Sequence, residues 1–308
     1  MTNWGSLLGA MSAEQFLADY WQQKPLLIRD ALPQLASAPP LQPDQLAGLA
    51  LEEMVESRLI DSVSWQVECG PLAAERFATL PERDWTLLVQ AVDLWLPEVA
   101  ELLATVDFLP RWQVDDIMVS YAAPGGSVGA HSDNYDVFLI QGLGSRRWQI
   151  ESQPRRHTVA SASGALRLID DFDPDCDWQL DSGDVLYLPP QVAHHGVAID
   201  SCITYSIGFR APSSVEMIND LARELLSGDR AEDFLRSPVG SDRDAIEPAH
   251  VAALQGQLAT LLNDPQLLGD WYARYMTRPK YPDQLEITGE QRQLFWQGQR
   301  YCNGEPCD

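Results

Sequence analysis

The chain has 308 residues, 45% of them hydrophobic, with ten tryptophans, which is enough to bury a large core and excludes a disordered polymer. A formal charge of −24 keeps such a protein in solution, repels nucleic acid and anionic membrane, and attracts basic partners. The five cysteines, Cys69, Cys176, Cys202, Cys302 and Cys307, are odd in number and form no C-x-x-C, which argues against a disulfide framework or a thiolate zinc site.

Cys302 and Cys307 are close enough in sequence to bridge, but two exposed free thiols are the simpler expectation. The opening "MTNWGSLLGAMSAEQ" lacks a basic segment followed by an apolar run. No stretch approaches the roughly 18 apolar residues of a membrane span. A cytoplasmic location is expected.

In chain order, "SAEQFLADYWQQKP" predicts a short helix, with Ser12 as N-cap, Gln15 completing a capping box and Pro25 as the stop. "PLLIRDALP" predicts a short strand. "PPLQPDQLAGLALEEMVESRLI" and "ERDWTLLVQAVDLWLPEVAELLATV" carry helical spacing, the second interrupted at Pro97. From about residue 115 the texture changes to short strand-like runs: "DIMVSYAA", "YDVFLIQ", "RRWQIES", "DVLYLPP", "HHGVAI" and "CITYSIGFRA". Turn signals such as Pro124-Gly125-Gly126, Gly142-Leu143-Gly144 and Ser182-Gly183-Asp184 separate them, and the pattern implies an antiparallel barrel or sandwich. Helices return after Pro212 in "EMINDLAREL" and "VAALQGQLATLL", then behind Asp264-Pro265 as N-cap and first-turn proline. The tail "LEITGEQRQLFW" predicts a further short helix capped by Thr288. The layout is an α/β entry, a β-barrel centre and an α-helical C-terminal region.

The chemistry concentrates in "VGAHSDNYDVFLIQ". His131 and Asp133 are two residues apart, so on an extended chain both side chains point to one face. His194 stands at the start of a later strand, behind the turn, buried run and proline stop of "SGDVLYLPPQVA". Two histidines and one carboxylate from different strands form the facial triad of non-haem iron oxygenases, which leaves adjacent positions on the metal open. The competing reading is a pair of hydrogen-bonded caps beside a hairpin. His195 competes with His194, and strand parity admits only one of them. His157 and His250 lie in polar, non-strand context and are expected to be bystanders. An acid co-substrate needs a cation for its far carboxylate; Arg146 or Arg147 supplies one, and parity leaves the choice open.

"DDIMVSYAAPGGSVGAHSDNYDVFLIQGLGSRRWQI", "SGDVLYLPPQVAHHGVA" and "TYSIGFRAP" resemble the bacterial ribosomal oxygenases of the Jumonji-C/cupin-like group. The three blocks occur in the same order, and the likeness extends through "YWQQKPLLIR" to nearly the whole chain. The resemblance implies an α+β protein built on a double-stranded β-helix, a JmjC/cupin-like jelly roll, with N-terminal α/β elements. It implies a catalytic domain over 1–211, a helical dimerisation region over 212–277 and a C-terminal winged-helix-like part over 278–308. It further implies Fe(II) on His131, Asp133 and His194, with 2-oxoglutarate and O2 as co-substrates. Arg146, rather than Arg147, falls on the arginine that holds the 2-oxoglutarate carboxylate, and Ser120 on a position touching the same molecule. Members of the group hydroxylate an arginine of a basic large-subunit ribosomal protein, the sixteenth, and are homodimers.

A substrate guanidinium needs an acid in the pocket. Asp116, on the same face of its strand as Ser120, is the candidate for it, and Tyr135 is placed to pack on the substrate's methylenes. Human relatives of the group act on histidine, so a histidyl protein or a small molecule is the alternative substrate. A non-enzymatic cupin-like ligand-binding regulator would keep the barrel and have no need of Arg146. A DNA-reading C-terminal region would need basic residues, yet Lys280 is the one lysine after residue 210.

Overall fold

The computed structural model describes residues 4–155, 158, 166–227, 234–240 and 244–308. His157 lies outside the described residues. The chain divides into two compact units, Met1–Ala211 and Pro212–Asp308.

The first unit opens with α1 (Ala13–Asp19), where the Ser12 hydroxyl accepts from the Gln15 N–H at 3.2 Å. Phe16 is the buried residue of this helix, and its ring meets Tyr187 at 4.9 Å, Phe138 at 5.6 Å and Phe108 at 5.7 Å. These edge and tilted contacts fasten the helix to the sheet beneath it. A proline-led helix α2 (Pro43–Leu49) and short helices α3 (Ala74–Ala78) and α4 (Pro97–Ala100) follow among strands.

Among the described residues of this unit eleven strands make two antiparallel sheets. The larger has the order β1-β9-β6-β11-β5-β4-β2-β3 and the smaller the order β10-β7-β8. In chain order the first five are β1 (Leu26–Ile28), β2 (Ser57–Asp61), β3 (Val67–Cys69), β4 (Trp85–Val89) and β5 (Val114–Ala122). The rest are β6 (Val137–Leu143), β7 (Arg146–Ile150), β8 (Cys176–Leu180), β9 (Val185–Leu188), β10 (His194–Ala198) and β11 (Cys202–Phe209).

Strand β11 is buried along its whole length because both its faces are covered. Ile203, Tyr205, Ile207 and Phe209 join the core shared with Phe16, Leu46 and Phe138. The intervening Thr204 and Ser206 face the opposite way, toward the smaller sheet. A second core fills the space between the sheets: Val137, Leu139, Leu186 and Leu188 of the larger pack with Trp148, Ile150 and Leu180 of the smaller. Apolar packing occupies part of that space, and polar side chains occupy the remainder.

The fold departs from several expectations of the sequence. The helical spacing of "ERDWTLLVQAVDLWLPEVAELLATV" gives a strand, β4, then 3-10 turns and the four-residue α4. Trp85–Val89 pairs with β2 on one side and β5 on the other, and that pairing overrides the leucine spacing. The helix read through residues 43–60 stops at Leu49, and Ser57–Asp61 is β2.

The tail departs as well. The second unit contains α5 (Ser214–Ser227), α6 (Pro248–Leu262), α7 (Pro265–Thr277) and α8 (Leu285–Thr288). A three-stranded sheet of β12 (Gln293–Trp296), β13 (Gln299–Cys302) and β14 (Glu305–Cys307) follows. Thr288 therefore ends a helix instead of capping one, and "QLFW" is a strand. The β13–β14 hairpin brings Cys302 and Cys307 to a Cα separation of 5.8 Å, and they form a disulfide, not free thiols. Asp264 caps α7 by accepting from Gln266 N and Leu267 N, and the Trp271 indole of α7 donates to Asp220 of α5 at 2.9 Å. His250 accepts from the Glu247 N–H at the start of α6, a structural cap. Among the described residues no helix is long and apolar enough to cross a membrane.

Candidate metal centre

His131 and Asp133 sit on the irregular connection that precedes β6, not within a strand. Main-chain bonds hold that connection in place. The His131 N–H donates to the His194 carbonyl at 3.0 Å, and the His194 N–H returns a bond to His131 at 2.8 Å. The Gln191 N–H donates to the Asp133 carbonyl at 2.6 Å. A single antiparallel bridge thus docks the H-x-D segment against the start of β10.

One ligand atom from each of His131, Asp133 and His194 lies within 4.8 Å of the others. The two imidazole centroids are 4.3 Å apart, and His194 Nε2 is 3.8 Å from Asp133 Oδ2. Both rings face the same way chemically. His131 Nδ1 lies 3.0 Å from the Gly129 carbonyl and His194 Nδ1 3.0 Å from the Val192 carbonyl. A carbonyl only accepts, so each Nδ1 carries the proton and each Nε2 keeps its lone pair toward the cluster. Burial of His194, followed by the neighbouring His131, lowers its pKa and keeps the ring neutral, the form that binds a metal. Two imidazole nitrogens and a carboxylate oxygen suit a divalent transition metal with open coordination positions. The donors fit the group.

His195 is the next residue on β10 and lies outside this cluster, half-buried with its ring against Phe172 at 6.2 Å.

Parity along β7 separates the two arginines. Arg147 is exposed and bonded to Asp177, which raises its already high pKa. Arg146 is buried, 6% exposed, between the two sheets. Its Nη1 reaches Ser120 Oγ at 3.4 Å and Thr204 Oγ1 at 3.5 Å, long contacts to neutral groups. Its Nε has no hydrogen-bond partner, and among the described residues no carboxylate pairs with it. Thr204 in turn donates to Gln141 at 3.2 Å, and the Gln141 amide is spent on the carbonyls of Leu143, Gly144 and Ile203. A buried guanidinium surrounded by neutral oxygens fits an anionic ligand.

Asp116 and Tyr135 lie beside each other near the cluster. A Cβ placed on Gly208 would stand 3.8 Å from Tyr135 Cε2 and 4.0 Å from Asp116 Oδ1. Asp116 Oδ2 accepts from the Ala91 N–H at 3.0 Å, and Asp93 behind it accepts from Ile117 N at 2.8 Å. Desolvation, then the charges of Asp133 and Asp116, raise the Tyr135 phenol, which stays protonated and bonds to Asp133. Sequence reasoning missed Thr204 and Gln141. The alternation Thr204, Ser206, Gly208 inside an apolar strand was the available signal.

Two facing antiparallel sheets with a two-histidine, one-carboxylate cluster between them define a JmjC-type oxygenase, and the JmjC domain family matches residues 101–217. The chain belongs to the JmjC-domain ribosomal oxygenases. It is 35% identical over 271 residues to the ribosomal protein uL16 3-hydroxylase of Escherichia coli, spanning 86% of this chain and 71% of that protein. It is 42% identical over 217 residues to the probable ribosomal oxygenase of Haemophilus influenzae, covering 69% of this chain and 53% of that one. The X-ray structure of E. coli ycfD superposes with a TM-score of 0.87 at 31% identity, over 97% of this chain and 86% of that chain. The structure of that ribosomal oxygenase in complex with cobalt and 2-oxoglutarate gives a TM-score of 0.84 at 32% identity, with the same coverage.

Proposed function

We propose that this chain is an Fe(II)- and 2-oxoglutarate-dependent oxygenase that hydroxylates an arginine side chain of the large-subunit ribosomal protein uL16. The observation that carries the reading is the pairing of a His131–Asp133–His194 cluster with a buried arginine that no carboxylate among the described residues neutralises. When bound, iron supplies the activation of O2 that inserts one oxygen atom into a substrate C–H bond, with 2-oxoglutarate leaving as succinate and CO2.

The residues of this chain supply position and charge. His131 and His194 offer Nε2 lone pairs fixed by the Gly129 and Val192 carbonyls, and Asp133 supplies the negative charge. Arg146 holds the far carboxylate of 2-oxoglutarate, with the Ser120 and Thr204 hydroxyls beside it. The sheets' apolar filling keeps bulk water from that end. Asp116, whose Oδ2 accepts from the Ala91 N–H, is the acid for the substrate guanidinium, and Tyr135 packs along the substrate's methylenes. A net charge of −24 draws the basic ribosomal protein to this surface.

The protein acts as a homodimer. Val251, Leu254, Leu258 and Leu262 form an exposed apolar stripe on α6, each 44–54% exposed, and this stripe supports that assembly. It acts without binding nucleic acid directly.

The test is mass spectrometry of an arginine-containing uL16 fragment incubated with the protein, Fe(II), 2-oxoglutarate and air, with His194→Ala alongside. A one-oxygen gain on arginine in the wild type alone is expected. No gain with 2-oxoglutarate still bound would remove the arginine substrate and turn the search to a histidyl protein or a small molecule.

A further inference from the structure

Between the metal cluster and Arg146 stands a residue that neither of them explains. Arg146, Trp148 and Ile150 alternate on the inward face of β7 and lie opposite Ala198, Gly196 and His194 of β10. Trp148 therefore occupies the middle of the path from the histidine ligand to the arginine. Its ring lies 5.8 Å from the His194 ring and 5.5 Å from the Arg146 guanidinium carbon, within reach of a cation–π contact.

Two further facts mark the position. The indole lies flat against the neighbouring strand: a Cβ on Gly196 would come within 2.7 Å of it, so glycine is the residue that admits the ring. Trp148 is 5% exposed, yet its Nε1–H has no hydrogen-bond partner among the described residues. A buried indole normally finds an acceptor, and leaving one unpaired is destabilising. The sheet core around it supplies apolar atoms from Val137, Leu139 and Leu188. An anionic ligand spanning from the cluster to Arg146 would bring oxygens alongside it.

We propose that Trp148 is a further co-substrate-binding residue: its indole N–H donates to a carboxylate oxygen of 2-oxoglutarate while its ring keeps Arg146 and His194 apart at the two ends of that molecule. The proposal rests on the functional reading above. Phenylalanine at this position keeps an aromatic ring and removes the N–H, which separates the hydrogen bond from the packing.

The test uses the full chain loaded with Zn(II) as a redox-inert metal, with 2-oxoglutarate added by calorimetric titration. Trp148→Phe is expected to weaken 2-oxoglutarate binding about tenfold, the loss for one hydrogen bond to a charged group, and to leave Zn(II) affinity unchanged. In wild-type protein labelled with 15N at its indoles, one N–H resonance, absent from the variant, moves downfield on saturation. Trp148→Tyr replaces Trp148→Phe if the latter fails to fold. Wild-type affinity in the variant, with the indole resonance unmoved, overturns the proposal. A wild-type protein that binds Zn(II) but no 2-oxoglutarate overturns the functional reading beneath it, a result distinguishable from the first.

Discussion

The two ends of the pocket are built by different means. At the metal end the backbone is irregular, and main-chain bonds do the fixing: a reciprocal pair between His131 and His194, the Gln191 N–H on Asp133, and carbonyls on both Nδ1 atoms. At the arginine end the backbone is regular strand, and the side chains are loosely satisfied, with Arg146 reaching hydroxyls at 3.4 and 3.5 Å. The difference teaches that the histidine end is preorganised for its ligand, whereas the arginine end is a cation whose proper partner arrives with the co-substrate.

Substitutions sharpen that contrast. The largest effect is expected at the preorganised end: His131→Ala or Asp133→Ala abolishes succinate formation, and full turnover in either variant would break the metal assignment. Next, Arg146→Lys keeps the charge but loses the planar fork. It should weaken 2-oxoglutarate binding on the order of 10- to 100-fold by calorimetry without changing metal affinity. The exposed Arg147→Ala is the control and should stay within about twofold of wild type.

Behind the substrate side, burial pushes the Asp93 carboxyl up to about 6 from 3.8, against the bond it accepts from Ile117 and with Asp116 adding to the rise. A folded pKa above the unfolded value means the fold favours the protonated acid. Stability is therefore lost as pH rises from about 3.8 to about 6, and above that the penalty is constant. Asp93→Asn keeps an oxygen for Ile117 and should stabilise the first unit by about 2 kcal/mol at pH 7.5, and by about half as much at pH 5.0. Thermal unfolding at both values checks the sign; a variant destabilised at the higher pH contradicts it. On the substrate side itself, Asp116→Asn retains the Ala91 contact and should raise the KM for the uL16 fragment about tenfold with kcat little altered. Wild-type kinetics in that variant would remove Asp116 from substrate binding.

The same contrast explains what the sequence made legible. His131 and Asp133 stand out because their spacing is local, and the strands β5, β6, β7, β9, β10 and β11 because each is an apolar run between turn residues. Long-range pairing hid the rest. Trp85–Val89 became a strand because β2 and β5 flank it, although its leucines sit at helical intervals. Thr204 lies 58 residues from Arg146, and only the pairing of β11 with β6 brings it beside Gln141 and Arg146; Trp148 shares β7 with Arg146, but its seat against Gly196 depends on the register with β10. The Cys302–Cys307 disulfide depended on a hairpin whose strands are four and three residues long, too short for periodicity to show.

Oxygenation by O2 at a metal held by the histidine end is the step on which the rest depends. Its most direct test is the uL16 fragment reaction run under 18O2, with the product arginine read by mass spectrometry and succinate quantified in the same sample. Heavy oxygen is expected on the arginine in step with succinate. Heavy oxygen absent from a hydroxylated product, or hydroxylation that persists without 2-oxoglutarate, would contradict it.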